Sequence, residues 1–505
     1  MHALPNVKKI WTKPHKLSQT LIEKYKIKWV YWLSAAFIIL NSYLLMKELY
    51  WGMLIPLGLL FGLLYIFHLD KVLLFIAFVT PFSITLQDMD MGVAISMPSE
   101  PMLIGVLLLF FIKLFYEEKV DFSGYRNPLA ILVIVHILWM FITSITGELP
   151  MVSFKYLFSR LWFLVPMFFL AILFFKRPEN ITRLIWAYGF SLCGVVLYTT
   201  YRHAGFGFDE EIGHWVMDPF YNDHTAYGAI LALFIPPFVA ITLNCKFGKR
   251  AWIFAAIAST LLITGLYLSF SRAAWISIVM AMGILILVLL RIRFYVVFLT
   301  SAAVIGLFFA FQQQILDRLE KNKQDSSANF VEHIQSISNI SSDASNLERI
   351  NRWQAALRLY EERKVLGWGP GAYQFVYAPY QLSKEKTIIS TNAGDKGNAH
   401  SEYIGPLAEQ GLPGLIIILL LYSSIVYYGL QLTRKATNRK FRRLTLGITL
   451  GLISYFIHGV MNNFLDTDKL SVPFWAFVAA LVAIDSYKFH LMENNPSPLS
   501  ENNPE

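Results

Sequence analysis

The chain is poor in charge and in cysteine. Only 15% of its 505 residues are Asp, Glu, Lys or Arg, against about 25% in soluble globular domains. Two cysteines, Cys193 and Cys245, make neither a disulfide framework nor a metal cluster. There is no P-loop, no His-Glu-x-x-His, no paired-cysteine motif and no Gly-x-Ser-x-Gly. Nucleotide hydrolysis, zinc peptidase chemistry and serine hydrolysis therefore have no sequence anchor. Soluble repeats and heptad runs are missing as well.

What is abundant is apolar length. Hydrophobic residues make up 56% of the chain and aromatics 15%, and several runs approach the roughly 20 residues that cross a bilayer core. The fold class this predicts is an all-α polytopic membrane protein of about 12–14 transmembrane helices with one large, partly helical loop. Fourteen spans can be read, at roughly 30–46, 51–67, 71–87, 101–116, 128–146, 157–175, 182–201, 225–243, 251–269, 272–290, 294–311, 404–429, 444–463 and 470–488. Several fall short of the ideal length and rely on aromatic and flanking residues.

Orientation follows from the Lys/Arg bias of short loops. The N-terminal segment 1–29, the turn "NCKFGKR", the turn "RIR" and the loop "LTRKATNRKFRR" are basic, and fourteen spans place all of them on the cytoplasmic side. This topology accounts for the net charge of +9 without invoking nucleic acid. The first 29 residues are too long and polar for a cleavable signal, so the first span is expected to stay as an anchor. The bundle then occupies 30–311 and 404–490, interrupted by the outward loop 312–403. Within that loop "EKNKQDSSANF" reads as mobile, and "NLERINRWQAALRLYEER" reads as a helix over about 346–363. "GWGPGAY" reads as an irregular turn. The Pro- and Asn-rich tail 491–505 reads as disordered and cytoplasmic.

Titratable residues gather on the outward side. Arg272, in "LSFSRAAW", falls at an outer turn near a helix N-terminus, where the helix dipole favours anions. Arg160 and Arg202 are also read as outward, at span ends. Each alone serves as an interfacial anchor. Together they suggest one anionic ligand, since Arg grips phosphate with paired charged hydrogen bonds. His400, in "GNAHSEYIGPLAEQGLPGL", can act as a base, as a phosphate contact when protonated, or as a cap on the following helix. If Ser401 begins that helix, Glu409 lies two turns beyond Glu402 and Pro413 kinks it. The triplets "DMD" (Asp88–Asp90) and "DTD" (Asp466–Asp468) have the form of divalent-cation ligands, or of ordinary outer-loop acids. His214 and His224 flank "WVMDPFYND" as polar lining.

Taken in order, "LSFSRAAW", "LERINRWQAALRLYEERKVLGWGPGAY" and "NAHSEYIGPLAEQGLPGL" resemble the O-antigen ligase/O-antigen polymerase superfamily, over about residues 150–480. The family pattern has an Arg-x-x-x-Trp helix, here Arg349 to Trp353. It has a Gly-x-Gly turn, here Gly367 to Tyr373. It has a His-[NS]-x-[FY] segment leading into the next span, here His400 to Tyr403. The resemblance implies a C-type glycosyltransferase of the bacterial inner membrane with its site facing the periplasm. It would move a glycan from undecaprenyl diphosphate to an acceptor hydroxyl, as on lipid A–core, with inversion and with no metal or other cofactor. Arg272 and His400 take the family's essential roles, and Glu402 and Tyr403 lie in the same motif. Where the family carries a second arginine this chain has His214 and Trp215, so Arg202, with Arg160 behind it, is the substitute in substrate binding. A polymerase, a protein O-glycan ligase and a glycolipid transporter are the alternatives. The last sits poorly with the lack of internal repeats.

Overall fold

The computed structural model describes residues 28–49, 55–86, 94–116, 123–290, 344–382 and 397–491, with four residues between 295 and 303. The basic N-terminal segment, the turn "RIR", the span 294–311, "DMD", "EKNKQDSSANF" and the tail fall wholly or largely outside the described residues.

The chain divides into two units, Met1–Leu69 and Asp70–Glu505. The first holds α1 (Lys28–Met46) and α2 (Ile55–Phe67). The second opens with α3 (Leu69–Val79), which tightens through Thr80–Phe82 into a two-stranded antiparallel ribbon, β1 (Ile84–Leu86) with β2 (Ile95–Met97), Ile84 opposite Met97. That ribbon ends the expected 71–87 span early, because Pro81 removes a helical donor. There follow α4 (Ser99–Tyr116), α5 (Pro128–Thr146), α6 (Pro150–Phe174, with a π-turn at Val165–Leu170), α7 (Glu179–Gly205), α8 (His224–Asn244), α9 (Arg250–Leu268) and α10 (Arg272–Leu289). Then come α11 (Ala344–Glu362), α12 (Ile404–Lys435), α13 (Arg439–His458) and α14 (Asp468–Ser486). The chain is thus an all-α polytopic membrane protein; among the described residues eight helices are long and apolar enough to cross a membrane.

Local sequence explains where these helices begin. Asn127 caps α5, Asp223 caps α8, Ser271 caps α10 and Asn438 caps α13, each accepting from backbone N–H groups of the first turn. α14 and α8 are the most enclosed spans, with 89% and 78% of their apolar windows buried, whereas α10 has 17% and is left largely for lipid. The connection after α8 and the start of α13 meet at one end of the bundle, where Asn244 Nδ2 donates to Lys440 O at 3.0 Å. The basic turns "NCKFGKR" and "LTRKATNRKFRR" therefore share an end.

The α8–α13 pair shows how the bundle closes. Pro236 and Pro237 lie inside α8. A proline has no N–H for the carbonyl four residues back, so Pro237 leaves Leu233 O without its helical donor. Gly451 of α13 fills that place: a Cβ there would stand 2.3 Å from Leu233 O, and one on Gly447 2.7 Å from Pro236 O. Small residues let the two backbones touch. Gly451→Ala should therefore destabilise the protein by about 1–3 kcal/mol, read as a lower thermal midpoint in detergent. Gly283→Ala, whose new methyl group would meet nothing within 4 Å, should leave the midpoint unchanged.

Candidate functional site

The site lies where α8, α10 and α12 begin, with α11 packed against α12. Its foundation is a break in α12. Gly411 there has φ 69° and ψ −173°, and Pro413 follows. Pro413 cannot donate to Glu409 O, and Leu412 N turns away to Lys364 O at 2.8 Å. The freed carbonyls are taken up by the Gly-rich turn: Trp368 N donates to Ala408 O at 3.1 Å and Gly369 N to Glu409 O at 2.8 Å. Trp139 Nε1 of α5 donates to Gln410 O at 3.0 Å. The approach admits no side chain, since a Cβ on Gly367 would stand 2.3 Å from the Glu409 carbonyl carbon, and one on Gly411 2.2 Å from Val365 O. Both glycines also have positive φ. The other face of the turn rests on the α5–α6 corner, where Glu148 N donates to Trp368 O at 2.9 Å.

Glu409 completes this joint. It is buried, and its Oε1 accepts from Tyr373 N at 3.1 Å. Glu402 has a comparable duty one turn before α12: its Oε1 accepts from Tyr455 OH at 2.6 Å and from Leu465 N at 3.0 Å, tying α12 to α13 and to the loop before α14. Burial pushes the Glu402 carboxyl up to about 7, against the pull of the Arg160 charge. Tyr403 OH donates to Phe456 O at 2.9 Å. Ser401 Oγ accepts from Tyr403 N and Ile404 N, both at 3.3 Å, so it caps the start of α12.

His400 is held in the left-handed region, φ 46°, a conformation that costs a non-glycine residue about 1–3 kcal/mol and persists only when its surroundings enforce it. The enforcement comes from α11. Trp353 Nε1 donates to Ala399 O at 3.0 Å, and Arg352 Nη1 donates to Asn398 O at 3.2 Å. Arg352 Nε pairs with Glu348 Oε1 one turn back, at 2.9 Å. A Cβ on Gly397 would stand 2.5 Å from Arg352 Nη1, so glycine there admits the guanidinium. Arg352 Nη1 also reaches His400 Nε2 at 3.1 Å. A guanidinium can only donate, so Nε2 carries the lone pair and the imidazole is neutral. Burial and the charges of Arg352 and Arg349 lower the His400 pKa to about 4. Ordinary imidazole titrates near 6.5, so His400 keeps an unprotonated nitrogen across the neutral range.

Around it stand the starts of α8 and α10. Asp223, Arg349 and Glu348 bear electrostatically on His400. His214, Asp223, Arg349 and Arg272 bear on His224, and the His214 and His224 rings stack with centroids 4.1 Å apart. His458, buried at the end of α13, is reached by Asp223, Arg349 and His224. The close approach of α8 to α10 makes this possible, since a Cβ on Gly228 would meet Ser271 Cβ at 2.7 Å. Arg272 is the first residue of α10, as expected, and partly exposed. Its guanidinium makes no hydrogen bond or ion pair with another described residue.

Of the other two expected arginines, Arg202 lies at a span end, in the last turn of α7, where its Nη1 donates to the carbonyls of Val216 and Asp218 and to Tyr198 OH. Arg160 is not at a span end. Pro150 at the first helical position starts α6 seven residues before the expected 157, so Arg160 lies well inside the span. There it is ion-paired with Asp466 and donates to Leu465 O and Tyr156 OH. This also divides "DTD": Asp466 faces Arg160, while Asp468, fully buried, accepts from Ser83 and Ser99. Arg349 and Arg352 have the clearest claim to have been overlooked as site residues. Arg349 stands in the Arg-x-x-x-Trp pattern, and the Glu-x-x-x-Arg spacing of Glu348 and Arg352 marks one helix face.

Because Arg352 adds to burial in lowering the basicity of His400, Arg352→Gln should raise the midpoint for His400 protonation part of the way toward the ordinary value of about 6.5. The pH dependence of its acylation by diethyl pyrocarbonate would report this, with His400→Ala identifying the signal.

Residues 254–419, from α9 through the break in α12, match a family model described as O-antigen ligase. No curated protein matches the chain.

Proposed function

This chain belongs to the O-antigen ligase superfamily, and we propose that it transfers a glycan from undecaprenyl diphosphate to an acceptor hydroxyl, on lipid A–core, at the periplasmic face of the bacterial inner membrane. The observation that carries this reading is the meeting of Arg272, Arg349 and Arg352 with His224 and His400 at one end of the bundle. They come from four separate chain segments. In this reading residues 312–403 are the periplasmic loop, and its described part, 344–382 and 397–403, borders the site.

The chemistry suits these groups. The acceptor oxygen attacks the anomeric carbon, and the bond from that carbon to the phosphate oxygen breaks. Its electron pair leaves on the diphosphate. Arg272, without a hydrogen-bond partner among the described residues and at a helix N-terminus, stabilises the developing charge with Arg349. His400 takes the hydroxyl proton, because its neutral Nε2 is the available base. The acceptor hydroxyl replaces the Arg352 N–H on that nitrogen as substrate binds, releasing a third guanidinium toward the phosphates. A single displacement inverts the anomeric centre. His214 lines the phosphate side with His224, Glu402 and Tyr403 hold the segment that carries His400, and Arg202 and Arg160 shape the walls rather than grip phosphate directly. The energy is already in the donor, so no metal or other cofactor is required of the protein.

Purified protein given undecaprenyl-diphosphate-linked glycan and lipid A–core should yield glycosylated acceptor, with or without EDTA. Arg272→Ala and His400→Ala should each lower the rate by about 100-fold or more while keeping the wild-type thermal midpoint. Full activity in both variants would overturn the mechanism. Lengthening of glycan on the carrier, with no transfer to lipid A–core, would make the protein a polymerase instead.

A further inference from the structure

A cavity of about 160 Å³ opens beside the His400 segment, bordered by Asn398, Ala399 and Ser401. Its walls come from α5, α6, α12 and α14, a different set of helices from those that gather the cations. By volume it holds about five water molecules or one sugar ring. Three residues that line it each carry an enclosed polar atom without a hydrogen-bond partner among the described residues: His136 Nδ1 of α5, Gln410 Oε1 at the break in α12, and Trp475 Nε1 of α14, which a ligand would meet after a small turn of each side chain. A buried donor or acceptor without a partner is unfavourable unless a ligand satisfies it. The three side chains are 9% exposed or less.

The lining offers phosphate no unpaired arginine or lysine. Glu402, Glu409 and Asp466 line it, and among the described lining residues the one arginine, Arg160, is already ion-paired with Asp466. A lipid tail is excluded by the unmet polar atoms. What fits is a neutral ring with hydroxyls around its edge and an apolar face: hydroxyls to His136, Gln410 and Trp475, carbon–hydrogen face to the aromatic wall that includes Tyr422. Both donor and acceptor offer such a ring. An inverting displacement separates the incoming hydroxyl from the departing diphosphate, and the cations stand at the starts of α8 and α10. We propose that the cavity seats the acceptor sugar and presents its hydroxyl to His400. This rests on the transfer reaction proposed above.

The test separates the two. Binding of lipid A–core in detergent is measured by thermophoresis on His400→Ala protein, which needs no transfer. His136→Leu and Trp475→Phe, each added to that background, should weaken lipid A–core binding at least tenfold and leave binding of undecaprenyl-diphosphate-linked glycan unchanged. In otherwise wild-type protein the same changes should raise the acceptor KM with little effect on the donor KM. Trp475→Phe keeps an aromatic ring in place, so it stands if His136→Leu folds poorly. Unchanged acceptor binding in folded Trp475→Phe protein, or a selective loss of donor binding, would overturn the proposal. Should His400→Ala prove fully active while these binding changes appear, the mechanism fails and the sugar site remains.

Discussion

One exchange of backbone hydrogen bonds organises this end of the molecule. A membrane-spanning helix that loses donors at Pro413 has carbonyls it cannot leave bare, since hydrocarbon offers nothing to replace them. The Gly-rich turn supplies N–H groups from Trp368 and Gly369, and Leu412 N returns the bond to Lys364 O. The segment after α11 is thereby locked to α12 by the same kind of bond that holds a helix together. Because the bonds run between main chains, the geometry follows from the backbone and is insensitive to most side-chain changes. The exceptions include Gly367, Gly369 and Gly411, where any side chain would collide.

That joint explains why His400 can be strained and still serve a site. The residue sits between two anchored pieces, α11 on one side and the start of α12 on the other. Asn398, Ala399 and His400 are each gripped by α11 through Arg352 or Trp353. The imidazole is thus oriented before any ligand arrives, and its neutrality is fixed by burial first and by the neighbouring guanidinium groups after it. Such preorganisation costs stability locally and is tolerated because the helices beneath it are densely packed.

Much of this was legible in the sequence, for reasons that differ by element. Apolar length located the spans, and periodicity located α11 within about two residues of its observed ends. Pro413 announced the kink. What stayed hidden depended on contacts across the chain. The expected span begins at 157 whereas α6 starts at Pro150, and the difference moves Arg160 from a span end into a buried ion pair. Glu409 could not be assigned because its partner is a main-chain N–H 36 residues away. Arg352 could not be assigned because the residue that makes room for it beside His400 is Gly397, 45 positions later.

The interlocked joint also constrains how the protein is made. Residues 364–369 leave the ribosome well before Ala408, Glu409 and Leu412, their hydrogen-bonding partners. While the chain is growing, the Gly-rich turn has no mould, and its glycines hold it in no particular shape. The segment can set only after α12 has been inserted, and Pro413 ensures that α12 arrives with its carbonyls unspent. Assembly of the covering segment is in this way made conditional on the membrane helix that follows it. A chain halted before that helix would carry Arg349 and Arg352 with nothing to aim them.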